Sequence, residues 1–170
     1  MERVALLAGS GSMPLIWAKA ARKCNLEVVA ISFANKEEQA ALRALVKRLY
    51  PMSSVNWREF LAIMRRENLE YLTALGKFDK KIILKGLIKD LYLLKIMAGL
   101  KGKSDDQILN AFVAELSKEG IKVLPQREIL TDLLPRPGLL AGDVSLPADL
   151  KADIELAWQL AKAISRLGIG

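Results

Sequence analysis

Residues 4–14 read VALLAGSGSMP, and this stretch decides the fold. The apolar run at 4–8 predicts a buried strand, and Pro14 suits the first turn of a following helix. In a strand–turn–helix unit, the N–H groups of the turn and of the helix N-terminus face one point, which attracts phosphate. The predicted phosphate contacts are Gly9, Ser10, Gly11 and Ser12, which we call the glycine turn.

Outward from this turn, apolar strands alternate with amphipathic helices. This alternation predicts an α/β fold, a Rossmann-like three-layer domain with a mostly parallel sheet flanked by helices. The predicted helices span residues 13–23, 36–49, 57–67, 80–100, 105–119, 127–134 and 147–167. The predicted strands span residues 4–8, 26–33, 69–75 and 121–124, with a weak strand or an extended loop at 50–55. We expect residues 1–170 to form a single domain, in which a loop at 135–146 leads to the last helix.

Composition narrows the chemistry. The chain has no histidine, which removes the commonest general base, and one cysteine, which excludes an intrachain disulfide. A bound metal would therefore be a hard cation such as Mg²⁺, held by carboxylate and phosphate oxygens. The net charge of +7 favours an acidic partner, such as a nucleotide, a nucleic acid or an anionic membrane, or else marks a solvated basic surface.

Targeting signals are not evident in the sequence. No run approaches the roughly 20 apolar residues that a membrane-spanning helix needs. The N-terminus enters a strand pattern at once, so we expect no signal peptide and a cytoplasmic location.

Gly76 and Lys77 directly follow a predicted strand. In an open α/β sheet the carboxyl ends of the strands form the ligand crevice, so Lys77 is expected to meet the same anion as the glycine turn. The alternative is a turn glycine followed by a surface lysine. Asp105 and Asp106 are candidate metal ligands or an acid–base pair, although a helix start explains two acids equally well.

The glycine turn matches only part of the dinucleotide-binding fingerprint. Pro14 stands where the third glycine would permit close packing of helix on strand. After the second predicted strand, Asn35 occurs where an acid would bind the ribose. The sequence therefore favours a phosphate or sugar-phosphate ligand over NAD(P), with a purely structural turn as the remaining alternative.

The predicted helix at 80–100 has a wide apolar face interleaved with lysines. It either covers the sheet as a core helix or faces a second domain, a second subunit or a membrane surface. Nucleic acid is disfavoured, since few aromatic residues near these lysines could stack on bases.

Taken together, these motifs resemble the UDP-2,3-diacylglucosamine pyrophosphatases of the LpxI type. The resemblance begins with VALLAGSGSMPLIWAKAA at 4–21, continues at Gly76-Lys77 and includes Asp90 in the basic helix. It continues through SDDQILNAFVAELSKEGIKVLPQ at 104–126 and the PGLL loop at 137–140.

The resemblance implies hydrolysis of UDP-2,3-diacylglucosamine to UMP and 2,3-diacylglucosamine 1-phosphate, within lipid A synthesis. It implies Mg²⁺ or a similar divalent cation, and a ligand held between two domains. In the family, a C-terminal domain supplies the catalytic aspartate, and this chain resembles the N-terminal domain alone. The resemblance therefore implies that this chain holds no catalytic residue and is inactive by itself.

Three partners follow as expectations: the lipid sugar phosphate, the missing C-terminal domain and a second copy in a homodimer. A peripheral contact with the inner membrane is also expected from the basic apolar helix. The rival function is a non-catalytic module for nucleotide-sugar binding, dimerisation or membrane attachment.

Overall fold

The computed structural model describes residues 2–79, 81–82, 86, 90–99, 105–136, 138 and 147–166, with the backbone alone at 105, 106 and 148. The chain divides into two compact units, Met1–Leu134 and Pro135–Gly170. The described part of the second unit contains one long helix, α6 (Ala148–Arg166). None of the described helices is long and apolar enough to cross a membrane.

The first unit is built on a parallel sheet flanked by helices, which confirms the Rossmann-like three-layer fold. Its strands are β1 (Arg3–Ala8), β2 (Glu27–Ser32), β3 (Arg48–Pro51), β4 (Tyr71–Leu75) and β5 (Lys122–Val123). They lie side by side in the order β3-β2-β1-β4-β5. Its described helices are α1 (Met13–Lys23), α2 (Lys36–Arg43), α3 (Trp57–Arg66), α4 (Leu91–Ala98) and α5 (Asp105–Lys118).

The central strand β1 is buried on both faces. Leu6 belongs to a cluster with Trp17 of α1, whereas Ala5 belongs to a cluster with Phe60 of α3. Successive side chains of a strand point to opposite faces, so an uninterrupted apolar run suits a strand covered on both sides. The apolar run quoted above thus occupies the middle layer of the fold.

The helix predicted at 36–49 was too long. It ends at Arg43, and the next strand begins at Arg48 instead of at residue 50. Leu49 and Tyr50 lie opposite Ala30 and Ile31 of β2. Pairing with the sheet therefore overrides the helical spacing of apolar residues in this segment.

The continuous helix predicted at 80–100 was also wrong. Asp90 has an extended backbone, with φ of −118° and ψ of 98°, and acts as the N-cap of α4. Residues 127–134 form no α-helix, and two 3₁₀ turns, Gln126–Glu128 and Thr131–Leu133, occur there instead. Most of the predicted loop at 135–146 lies outside the described residues.

Asp90 ties the start of α3 to the start of α4. Its Oδ2 accepts the N–H of Trp57 at 2.7 Å, and its Oδ1 accepts the N–H of Tyr92 at 3.0 Å. A carboxylate at helix N-termini satisfies N–H groups that lack partners within the helices. The Asp90 side chain therefore has a structural role in this fold.

Replacing Asp90 by Ala is expected to lower the free energy of unfolding by about 2 kcal/mol, because two helix starts lose an acceptor. Urea titration followed by circular dichroism measures the change. Asp79→Ala is the matched control, since among the described residues the exposed Asp79 carboxylate accepts just the N–H of Lys81. Equal losses in the two variants would contradict the proposed role of Asp90.

At the amino ends of the strands, the Glu67 carboxylate gathers three partners. It is 2% exposed and accepts hydrogen bonds from Arg48 at 2.7 Å, from Arg3 at 3.2 Å and from the Tyr50 hydroxyl. The hydrogen bond from Tyr50, reinforced by the guanidinium of Arg48, holds the pKa of Glu67 below its ordinary value. This network connects β1, β3 and the turn before β4.

Candidate functional site

A cleft lies at the carboxyl ends of β1 and β4. These strands are neighbours in the sheet, but the chain continues from β1 to β2 on the opposite side. Such a reversal of strand order is the position where ligands bind in open α/β sheets. The cleft has a volume of about 540 Å³, and its lining residues are Ser10, Gly11, Ser12, Met13, Ala74, Leu75, Gly76, Lys77 and Gln126.

The structure brings the glycine turn and the Gly76-Lys77 pair together. The N–H of Ser10 donates to the carbonyl of Lys77 at 2.9 Å, and the N–H of Lys77 donates to the carbonyl of Ser10 at 2.8 Å. A Cβ on Gly9 would lie 2.5 Å from the carbonyl oxygen of Lys77. The two segments are therefore in backbone contact, which only glycine at residue 9 permits.

This contact narrows the set of N–H groups that a ligand can use. The N–H of Gly9 donates to Leu75 at 2.8 Å, that of Ser10 to Lys77, and that of Gly11 to the Glu38 carboxylate at 2.8 Å. Of the four predicted phosphate contacts, three thus already use their N–H groups within the protein. Gly9, the first residue of the glycine turn, is buried and does not line the cleft.

The remaining donors belong to the first turn of α1. Within the described part of the chain, the N–H groups of Ser12, Met13 and Leu15 have no hydrogen-bond acceptor. The Ser12 hydroxyl makes no cap hydrogen bond, although Ser12 is the N-cap residue. A helix N-terminus with unsatisfied N–H groups carries a partial positive charge, which suits an anion.

Lys77 adds a full positive charge to this cleft. Its side chain is exposed and forms no ion pair with any residue that the structure describes. Lysine serves as a mobile point charge for phosphate, so it complements the fixed donors of α1.

Sequence reasoning missed Gln126 as a member of the site. Its side-chain Nε2 donates to the carbonyl of Ala74 at 2.7 Å, which holds the amide at the cleft wall. A polar residue shortly after β5 was the available signal, because every parallel strand ends at the same edge of the sheet.

The described cleft lining offers hydrogen-bond donors and one cationic side chain, that of Lys77. It contains no aspartate, glutamate or cysteine, and the chain has no histidine. The carboxyl groups with a lowered pKa lie elsewhere. Lys47 lowers the pKa of Glu27, and Lys118 followed by Tyr92 lowers that of Glu115. The cleft as described can position an anion by hydrogen bonds and charge.

The proposed metal ligands Asp105 and Asp106 remain a prediction. Their backbone begins α5, but their side chains lie outside what the structure describes. Across the described residues, no cluster of three or more cysteine or acidic side chains could hold a metal ion.

Comparison with known families gives one finding. The family model described as the LpxI N-terminal domain matches residues 3–133, which include the glycine turn, Lys77 and Gln126. A search of curated proteins gives no match.

Proposed function

The chain belongs to the LpxI N-terminal domain family, and from this premise we propose that it is the substrate-binding domain of a UDP-2,3-diacylglucosamine pyrophosphatase. The full enzyme would hydrolyse the pyrophosphate bond to release UMP and 2,3-diacylglucosamine 1-phosphate, in lipid A synthesis. The observation that carries the proposal is the cleft between the glycine turn and Lys77, whose described lining presents positive charge and no carboxylate.

In this proposal the chain binds and orients a phosphate group. The N–H groups of Ser12 and Met13 and the hydroxyl of Ser12 provide directed hydrogen bonds, and Lys77 provides charge. Gln126 lines the cleft, where its side-chain amide is held by the carbonyl of Ala74. A second domain would close over the ligand and supply the catalytic aspartate.

A divalent cation such as Mg²⁺ would supply charge stabilisation in the complete enzyme. Since no cluster of three or more acidic or cysteine side chains occurs among the described residues, we assign the cation to none of them. Asp105 and Asp106, whose side chains lie outside the described residues, stay the candidate ligands of this chain, and the proposed second domain and the substrate phosphates would supply the other oxygens.

Replacing Lys77 by Ala is expected to weaken binding of a UDP-sugar about tenfold, because a charge-assisted contact to phosphate is lost. Isothermal titration calorimetry measures the dissociation constant. Lys23→Ala is the matched control. It removes the same charge, but Lys23 lies at the opposite end of α1 from the cleft. The proposal fails if the unaltered chain binds neither a UDP-sugar nor the lipid sugar phosphate at millimolar concentrations.

A second candidate function is an interaction module, favoured by exposed apolar side chains on α4. Leu91 is 81% exposed and Leu94 is 48% exposed. Such side chains would suit a dimer contact or an anionic membrane surface. Sedimentation and liposome flotation test both, and a monomer that does not bind anionic liposomes would reject this function.

A further inference from the structure

The Glu38 carboxylate covers one side of the glycine turn. Its Oε1 accepts the N–H of Gly11 at 2.8 Å, and its Oε2 accepts the N–H of Asn35 at 3.2 Å. Glu38 lies in the first turn of α2, which follows β2. It therefore reaches the turn from α2, whereas the lining of the cleft comes from the turn itself, β4, Lys77 and Gln126.

Local structure holds Glu38 in this position. The Asn35 side chain accepts the N–H of Glu38 at 2.9 Å, which completes a reciprocal capping box at the start of α2. Gln39 adds a hydrogen bond from its side chain to the carbonyl of Ala34 at 2.8 Å. Hydrogen bonds therefore hold the backbone N–H of Glu38 and both oxygens of its carboxylate.

A carboxylate at this N–H group has a consequence for ligands. In dinucleotide sites, a phosphate approaches the N–H groups of the glycine turn. Here a carboxylate already accepts the Gly11 N–H, so a phosphate at the same donor would meet a like charge at close range. The donors that remain, at Ser12 and Met13, lie beside Lys77 in the cleft lining.

We infer that Glu38 is a specificity-determining residue, which excludes phosphate from the Gly11 N–H and confines it to the cleft beside Lys77. It acts as a positioning residue, because it directs the ligand without contacting it. This role rests on the phosphate binding proposed for the cleft and extends it to any phosphate-bearing ligand. It also gives a structural reason why dinucleotides would not bind. The partial fingerprint in the sequence does not contain this reason.

Neutralising Glu38 tests the inference. Glu38→Gln retains the capping box, which accepts glutamine at this position, and removes the charge. Calorimetry with inorganic pyrophosphate is expected to show binding about fivefold tighter than in the unaltered chain at low salt. The gain should shrink at high salt, because screening weakens the repulsion that the substitution removes.

Glu37→Gln is the matched control. Glu37 is the neighbouring acid in the same first turn of α2, and its carboxylate forms no hydrogen bond with a described residue. The inference requires less than a twofold change in this variant. Equal gains in the two variants would reduce the effect to net charge, and weaker pyrophosphate binding by Glu38→Gln would mean that Glu38 contacts the ligand. Either result overturns the inference.

Titration with a UDP-sugar separates the inference from the proposed function. A gain in pyrophosphate affinity without any UDP-sugar binding would support the role of Glu38 and reject the proposed substrate. UDP-sugar binding without any gain in Glu38→Gln would reject the role of Glu38 and leave the proposed function intact. Thermal melting confirms that each variant is folded.

Discussion

Replacing Gly76 by Ala is expected to lower the free energy of unfolding by about 3–4 kcal/mol. Gly76 has a φ of +94°, which side-chain-bearing residues rarely adopt. A Cβ there would also lie 2.8 Å from both the carbonyl carbon of Gly9 and the carbonyl oxygen of Ser10. Because both neighbours are backbone atoms, the clash cannot be relieved by a side-chain rotation. Urea denaturation at neutral pH measures the loss.

Gly120→Ala separates steric overlap from backbone strain. Gly120 has a φ of +76°, but a Cβ there would meet nothing within 4 Å. The control should therefore lose only the conformational part, about 1–2 kcal/mol. Similar losses in the two variants would show that steric overlap with the backbone of Gly9 and Ser10 adds nothing to the loss at Gly76. Any folded Gly76→Ala protein should also bind pyrophosphate more weakly, because the added Cβ would displace the glycine turn that lines the cleft.

Replacing Glu67 by Gln is expected to lower the free energy of unfolding by about 2–4 kcal/mol at neutral pH. The buried carboxylate accepts hydrogen bonds from two guanidinium groups, and the amide of glutamine would direct N–H groups toward at least one of them. Glu119→Gln is the control, because its ion pair with Arg65 at 2.8 Å is largely exposed. An exposed pair contributes at most about 1 kcal/mol.

Acid should abolish the difference in free energy of unfolding between the Glu67→Gln variant and the unaltered chain. The pKa of Glu67 is lower in the folded state than its ordinary value of 4.5, chiefly through the hydrogen bond from Tyr50. The charged form therefore favours folding above about pH 4.5, and this stabilisation is lost as the pH falls through the folded-state pKa. Unfolding measured between neutral pH and pH 3 should show a steep loss for the unaltered chain and a shallower one for Glu67→Gln. Parallel curves would contradict the assigned role.

Local patterns predicted most of the elements because their signals lie within one element. The uninterrupted apolar run at 4–8 indicates a strand buried on both faces, and Leu6 and Ala5 indeed belong to two separate hydrophobic clusters, one with residues of α1 and one with residues of α3. Failures occurred where distant partners decide the structure. Leu49 has helical spacing with its neighbours, yet it pairs with Ala30 of β2.

The candidate site divides in the same way. The glycine turn and Lys77 are recognisable because glycine and lysine after a strand mark the ligand edge of an α/β sheet. The position of Gln126 after β5 was a signal in the sequence, but the contact of its amide with the carbonyl of Ala74 forms only when the sheet assembles. Glu38 lies three residues after Asn35 and completes the capping box of α2 with it. Its contact with the N–H of Gly11 forms only on folding.

By itself, the sequence determined the α/β class, the glycine turn and the position of a cationic residue at the same edge of the sheet. Each of these depends on residue types and spacings within a few turns of chain. Only the tertiary structure decided which N–H groups of the turn are free. That outcome depends on contacts between segments far apart in sequence, from Lys77 to Ser10 and from Glu38 to Gly11. A hydrogen-bond donor is available to a ligand only when no other part of the folded chain has already accepted it.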